Sequence, residues 1–425
     1  MFTRWNQQEV CPEKVKSLSK ELGLSPYLCR ILLQKGIQSP EEAQPFLDPQ
    51  IHHLHHADQM ASLVRFAKML QQIQVKKSSI GLLVNTSIDS IIACVLLQEI
   101  LATRGIAHQI YFSSLPEMIE QAQIIRIGFM AMPTDNQDWW VSPMCPSREE
   151  VNILSSKGES VYPYQDLSAA GLIYKLADYL SWNLDWPIEP NKMLELVALA
   201  CAVDEFPMTG ENRVMTHLGM QKIRTKPGEF FKKLIQLKFL GQSINTKTLQ
   251  FKVGSLLQEM LYTNQETTIM NWISGKELNQ IEDILQLIKL NRKVQFESVQ
   301  TIFKEAERMV LQRHSRSKHC IVLYRPQWPK SALRKAAYKL ADRFRRPCLL
   351  ATQLKDGQIY AVIKSNIDLP LLNSLSEIAD QFDSWLPGPA CAVLSTQRNH
   401  LQMIANQLDN FIEKEIGEQL RTQEI

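Results

Sequence analysis

The run Ile80-Gly-Leu-Leu-Val84 is apolar throughout, is followed at once by the polar triplet Asn85-Thr86-Ser87, and leads into a helical stretch, Ser90–Leu101, without glycine or proline. A short apolar run of this kind suits a strand buried on both faces, and strand, loop and helix in that order build a parallel sheet covered by helices. The chain is therefore expected to be α/β. Its 425 residues suffice for several domains at roughly 100–200 residues each. With 45% hydrophobic and 21% charged residues it lies in the globular range, which excludes wholesale disorder and collagen-like architecture.

Lys plus Arg total 47 against 44 Asp plus Glu, so net charge selects no partner and any electrostatic site must be local. Only 16 glycines occur, roughly half the usual share, so glycine-built phosphate loops are not a prominent feature. The eight cysteines are dispersed without a C-x-x-C pair and are read as reduced, mostly buried thiols. The start MFTRWNQQEV has no basic-then-apolar signal pattern, and Ile80–Leu101 is interrupted by Asn85, Thr86, Ser87, Asp89 and Ser90. A cytoplasmic protein without a membrane partner is expected.

Residues 1–75 read as an N-terminal helical region of short, proline-punctuated helices ending in the amphipathic run Met60–Ile73. Residues 76–232 form the first α/β domain, with helices over Leu167–Ser181 and Asn191–Val203. The periodicity from Phe230 to Leu311 predicts a long connecting helix, within a connector at 233–317. A smaller α/β domain at 318–415 contains strands Cys320–Tyr324, Pro347–Ala351 and Ile359–Ile363 and the helix Lys330–Phe344, and 416–425 form a tail.

Several phrases, in order, resemble the RecJ-type single-strand-specific exonucleases of the DHH phosphoesterase superfamily. They are LLQKGIQSPEEAQPFLDP (32–49), VYPYQDLSAAGLIYKLADYL (161–180), PMTGENR (207–213) and WPKSALRKAAYKL (328–340). The resemblance implies two α/β lobes joined by a long helix, a DHH-like domain and a smaller DHH-associated domain. It also implies metal-dependent 5′-to-3′ hydrolysis of single-stranded DNA with Mn2+ or Mg2+.

The residues that would perform this hydrolysis are largely missing. A two-cation phosphodiesterase needs several converging carboxylates and histidines. Where the family has Asp-Tyr-Asp-Ala-Asp-Gly, this chain reads Asn85-Thr86-Ser87-Ile88-Asp89-Ser90. The stretch Ile124–Phe129 has no carboxylate, the Asp-His-His triplet is matched best by Pro143-Met144-Cys145, and no adjacent histidines occur after His56. The late acid corresponds to Asp204. In the second domain the family's Trp-His-Pro-Gly corresponds to Trp328-Pro329-Lys330-Ser331, and its Gly-Ser-x-Arg-Ser to Ala361-Val362-Ile363-Lys364-Ser365; its Gly-Gly-His is replaced near Leu386-Pro387-Gly388. Scaffold phrases persist while metal- and phosphate-handling residues are absent, which is the pattern of a pseudoenzyme.

Asp89 and Asp204 are the vestigial metal-ligand candidates. Asp89 also suits an N-cap of the helix that follows, which is the favoured reading, and Asp204 suits a pairing with Arg213 or nearby amides. The run His52-His53-Leu54-His55-His56 lacks ligand-spaced acids other than Asp58 and is read as structural or surface. Trp139-Trp140 and Trp182/Trp186 are read as packing residues. Between Arg313 and Arg346 there are eleven Lys or Arg and one acid, Asp342. At helical pitch Lys335, Lys339 and Arg343 share a face opposite Leu333, Ala337 and Leu340. With Arg313, Arg316, Lys330, Arg334, Arg345, Arg346 and Lys364, they are the candidate nucleic-acid contacts, of a salt-sensitive and sequence-independent kind.

The expected role is that of a RecJ-like protein of DNA replication, recombination or repair that binds single-stranded DNA or RNA, or a replication or repair protein, without catalysis or cofactor. A noncatalytic helicase component among the superfamily's eukaryotic RecJ-like relatives offers an analogy. An active exonuclease and a protein-interaction scaffold are the alternatives.

Overall fold

The computed structural model describes residues 10–112, 114–115, 123–129, 137–148, 151–241, 243–312, 319–354, 357–365, 382–386 and 391–421. They fall into two compact units, Met1–Glu282 and Asp283–Ile425.

The first unit opens with α1 (Pro12–Leu22), α2 (Pro26–Gln34) and α3 (Pro40–Leu47). Each begins with proline, whose missing N–H costs nothing in a first turn, and the Ser25 and Ser39 hydroxyls cap α2 and α3. Val15, Leu18, Cys29, Leu32, Ile37 and Ala43 give these helices a small core of their own.

After α4 (Ala61–Lys76) come β1 (Ile80–Val84), α5 (Ile88–Thr103), β2 (His108–Phe112), β3 (Gln123–Ile127), β4 (Trp139–Val141) and β5 (Ile153–Leu154). The strands form a sheet of order β2-β1-β3-β4-β5, parallel throughout. β1 is buried at all its positions, as its unbroken apolar run requires. Helices α6 (Ala169–Leu184), α7 (Leu194–Val203) and α8 (Gly210–Thr225) complete this α/β body.

The continuous connecting helix expected from Phe230 is instead divided into α9 (Glu229–Gln236), α10 (Thr246–Thr248), a π-helical stretch (Leu249–Gly254), α11 (Ser255–Leu261), α12 (Glu266–Ile273) and α13 (Ile281–Leu311). Lys238, Asn264 and Glu277 take left-handed backbone angles at the breaks, a conformation that ends a helix without requiring glycine or proline. The boundary between the units falls in the first turn of α13.

In the second unit β6 (Ile321–Tyr324), α14 (Lys330–Phe344), β7 (Cys348–Gln353), β8 (Ile359–Lys364), β9 (Phe382–Leu386), β10 (Cys391–Thr396) and α15 (Leu401–Arg421) build a mixed sheet of order β6-β7-β8-β10-β9. One face packs Leu350 and Val362 against α13 and α14; the other packs Leu349, Ala361 and Ile363 against α15. Among the described residues no helix is long and apolar enough to cross a membrane.

A buried ion pair ties the N-terminal segment to the first α/β body. Lys175 Nζ lies 2.9 Å from Glu211 Oε1 with both side chains 1% exposed, and it also donates to the His55 carbonyl. Glu211 further accepts from the His55 N–H and the Tyr162 hydroxyl. His55 is thus held through its backbone and the His53 ring accepts from Gln50 N, while His52 and His56 are exposed. Lys175→Met leaves the Glu211 charge without its cation, and a destabilisation of about 3–5 kcal/mol is expected in denaturant unfolding.

Candidate functional site

The loop that leaves β1 is cross-linked by neutral hydrogen bonds. Asn85 Nδ2 donates to the Gly128 carbonyl, 2.9 Å away beyond β3, while its Oδ1 accepts from Thr86 N. Ser87 caps α5 by accepting from Ser90 N, and the two serine hydroxyls lie 2.7 Å apart. Gly128 has φ +79, and a Cβ there would stand 1.7 Å from Ser90 Oγ, so this glycine is required both by its backbone angle and by close approach. Across the sheet the Ser142 hydroxyl donates to Phe129 O and accepts from Met144 N and Cys145 N, which satisfies the backbone of Pro143-Met144-Cys145.

Asp89 does not cap α5. It lies inside that helix, 3% exposed, and its two carboxylate oxygens accept the N–H groups of Ala169 and Ala170 at 2.8 and 2.9 Å. It therefore caps the start of α6, beside the Ser168 hydroxyl that accepts from Gly171. Burial pushes its carboxyl up to about 7 against the two N–H donors, and the neighbouring Asp204 charge adds to the rise. Asp204 itself accepts Asp89 N at 2.8 Å, and burial raises its carboxyl as well. Of the alternatives expected for Asp204, Arg213 or an amide, Arg213 donates instead to Phe46 O and lies over the Phe46 ring.

Asp204 shares the wall of an open cleft of about 430 Å³ with Thr86, Ser87, Ile88, Gln258, Leu261, Tyr262, Asn264 and Glu266. The last five were not singled out in the sequence, because the helix breaks that bring them there are invisible to periodicity. This donor set does not match a pair of divalent cations. Both oxygens of Asp89 accept from α6 and Asp89 does not line the cleft, and the positions matching two further acids, Asn85 and Ser87, hold neutral groups committed to the loop. Among the described residues no three His, Cys, Asp or Glu side chains converge as a metal site.

In the second unit the basic helix forms as α14, with Ala332, Leu333, Ala336, Ala337, Leu340 and Ala341 buried. Its stripe is tied to α13: Lys335 Nζ donates to Gln295 Oε1 at 2.7 Å, Arg343 pairs with Glu307 at 3.1 Å, and Lys339 lies over the Phe296 ring. A second set runs along β8. Lys330 Nζ stands 4.6 Å from the Tyr360 ring centre and Lys364 Nζ stands 4.4 Å from that of Tyr338. Arg334 and Arg345 are exposed and Arg346 is half-buried, while Arg313, Arg316 and the Pro387-Gly388 segment lie outside the described residues. Trp139 and Trp186 are buried as expected, whereas Trp182 is 81% exposed.

The first unit is thus a parallel α/β body and the second a smaller mixed-sheet domain. No protein-family model matches the chain. It is 22% identical over 449 aligned residues to the single-stranded-DNA-specific exonuclease RecJ of Bacillus subtilis, covering 98% of this chain and 56% of that protein. Its fold is similar to that of RecJ from Thermus thermophilus in complex with Mn2+, with a TM-score of 0.69, 14% identity, and coverage of 95% of this chain and 61% of that one. It is also similar to an exonuclease RecJ bound to manganese, with a TM-score of 0.62, 13% identity, and coverage of 83% and 95%. In sequence the chain is similar to a RecJ exonuclease, and in fold it is similar to solved RecJ structures. It spans little more than half the length of the curated relative.

Asn85→Asp sets a carboxylate oxygen against the Gly128 carbonyl, and a loss of about 1–3 kcal/mol is expected in thermal unfolding. Because the folded state raises the Asp89 pKa from 3.8 to about 7, its contribution to stability is fully present below pH 3.8 and lost as pH rises through about 7. The stability of the wild type relative to Asp89→Asn should decline across that window and stay level above it.

Proposed function

We propose that this chain is a RecJ-like protein of DNA replication, recombination or repair that binds single-stranded nucleic acid without hydrolysing it. The observation that carries the reading is the commitment of Asp89, both of whose oxygens receive N–H groups of α6. An acid used in this way already serves the fold, and Asp89 is not among the residues that line the cleft. Asn85 and Ser87 are likewise spent on holding the loop. The Bacillus relative is by name specific for single-stranded DNA. The second unit retains a cationic surface suited to such a strand: phosphate contacts by lysine and arginine are sequence-independent and weaken as salt rises.

The test is incubation of the protein with 5′-labelled single-stranded DNA and manganese, followed by chain length and by mobility shift at several salt concentrations. Asp204→Asn is the suitable control, since Asp204 lines the cleft, whereas replacing Asp89 removes the cap of α6. No shortening, with a shift whose log affinity falls linearly with log salt, is expected. Shortening by the wild type that Asp204→Asn abolishes would establish an active exonuclease instead. Absence of both shortening and shift would leave a protein-interaction scaffold.

A further inference from the structure

We propose that Tyr338 and Tyr360 form a base-stacking platform that restricts this protein to unpaired strands; the proposal rests on the nucleic-acid reading above and assigns its contact face. Lys330, Arg334 and Tyr338 follow one another at four-residue spacing along α14, and Tyr360, Val362 and Lys364 alternate along the face of β8 that packs toward that helix. The contacts between the two rows are crossed. The lysine that begins the helix lies over the tyrosine that begins the strand face, and the tyrosine further along the helix lies under the lysine that ends it. Eight residues of helix and four of strand each span roughly 12–13 Å, so helix and strand run side by side with one lysine–tyrosine pair at each end.

This face differs from the stripe across α14 in that both of its lysines rest on rings, whereas in the stripe only Lys339 does, on Phe296. Lys335 donates to an amide and Arg343 pairs with a carboxylate, so the position of each is already fixed against α13. Lys330, which is exposed, and Lys364, which is half-buried, rest on aromatic rings, a less directional hold than a hydrogen bond. Each ammonium therefore marks a ring face that a base can take when the ammonium moves to a neighbouring phosphate. Tyr338 is 37% exposed, Tyr360 is half-buried and Lys330 is exposed, so the rings are reached from solvent.

The separation of the two pairs bears on the ligand. Stacked nucleotides of a duplex advance about 3.4 Å each and offer no free base faces between them, whereas an unpaired strand can splay bases onto rings set roughly 12 Å apart. Base–aromatic stacking tolerates any sequence because every base has a π-face.

The test uses the full chain and three probes of equal length in fluorescence anisotropy titrations: single-stranded DNA, the same strand made abasic at its internal positions, and the duplex. Wild type should bind the intact strand most tightly. Tyr338→Ala and Tyr360→Ala should each weaken that binding about tenfold, with Tyr338→Phe and Tyr360→Phe close to wild type. Thermal unfolding of the alanine variants separates loss of stacking from a folding defect, because Tyr360 packs against the core. Equal affinity for intact and abasic strands, with alanine variants indistinguishable from wild type, would overturn the platform and leave nucleic-acid binding standing. Failure of the wild type to bind any probe would overturn both.

Discussion

The carboxylate of Asp89 lies inside α5, closed from solvent, and receives two N–H groups from the first turn of α6. The arrangement of the first unit around its cleft depends on this contact. Desolvation works against the charged form, and the positive end of α6 with its two donors works for it. Asp204 extends the chain by accepting the N–H of Asp89, so one run of hydrogen bonds links α6, α5 and the end of α7. Removing the carboxylate would leave two buried N–H groups unsatisfied, which explains why an acid stands here whether or not chemistry is done beside it.

The neighbouring positions illustrate the same constraint from the other side. Carboxylates crowded at the ends of parallel strands repel one another unless cations sit between them. At Asn85, Ser87, Ser90 and Ser142 the chain carries neutral groups that donate as well as accept, and these bridge the loops after β1, β3 and β4 directly. The amide of Asn85 is suited to this because it donates to one backbone group while accepting from another. A carboxylate can only accept. The loops are thus held by their own hydrogen bonds.

The α/β class was legible in the sequence because β1 and α5 are dictated by local patterning: five apolar residues, a polar turn and an uninterrupted helix. The role of Asp89 was not legible. Its acceptor contacts are made 80 and 81 residues away in the chain, so its position beside a helix start suggested a cap for the wrong helix. The buried face of α14 followed from its pitch, yet pitch could not reveal that Gln295 and Glu307 occupy its basic stripe from α13. The breaks between α9 and α13 escaped notice because ordinary residues, Lys238, Asn264 and Glu277, adopt the left-handed turns there.

The two cationic rows of α14 show why a count of basic residues does not locate a binding face. A guanidinium paired with a carboxylate presents little net charge, and a strand that displaced Glu307 from Arg343 would gain one ionic contact only by losing another. A lysine lying on a ring keeps its full charge and gives up a weaker attraction when it moves. The ring it uncovers then supplies a new contact for a base. The row along β8 therefore combines mobile charge with aromatic area, whereas the row facing α13 has already spent much of its charge within the fold.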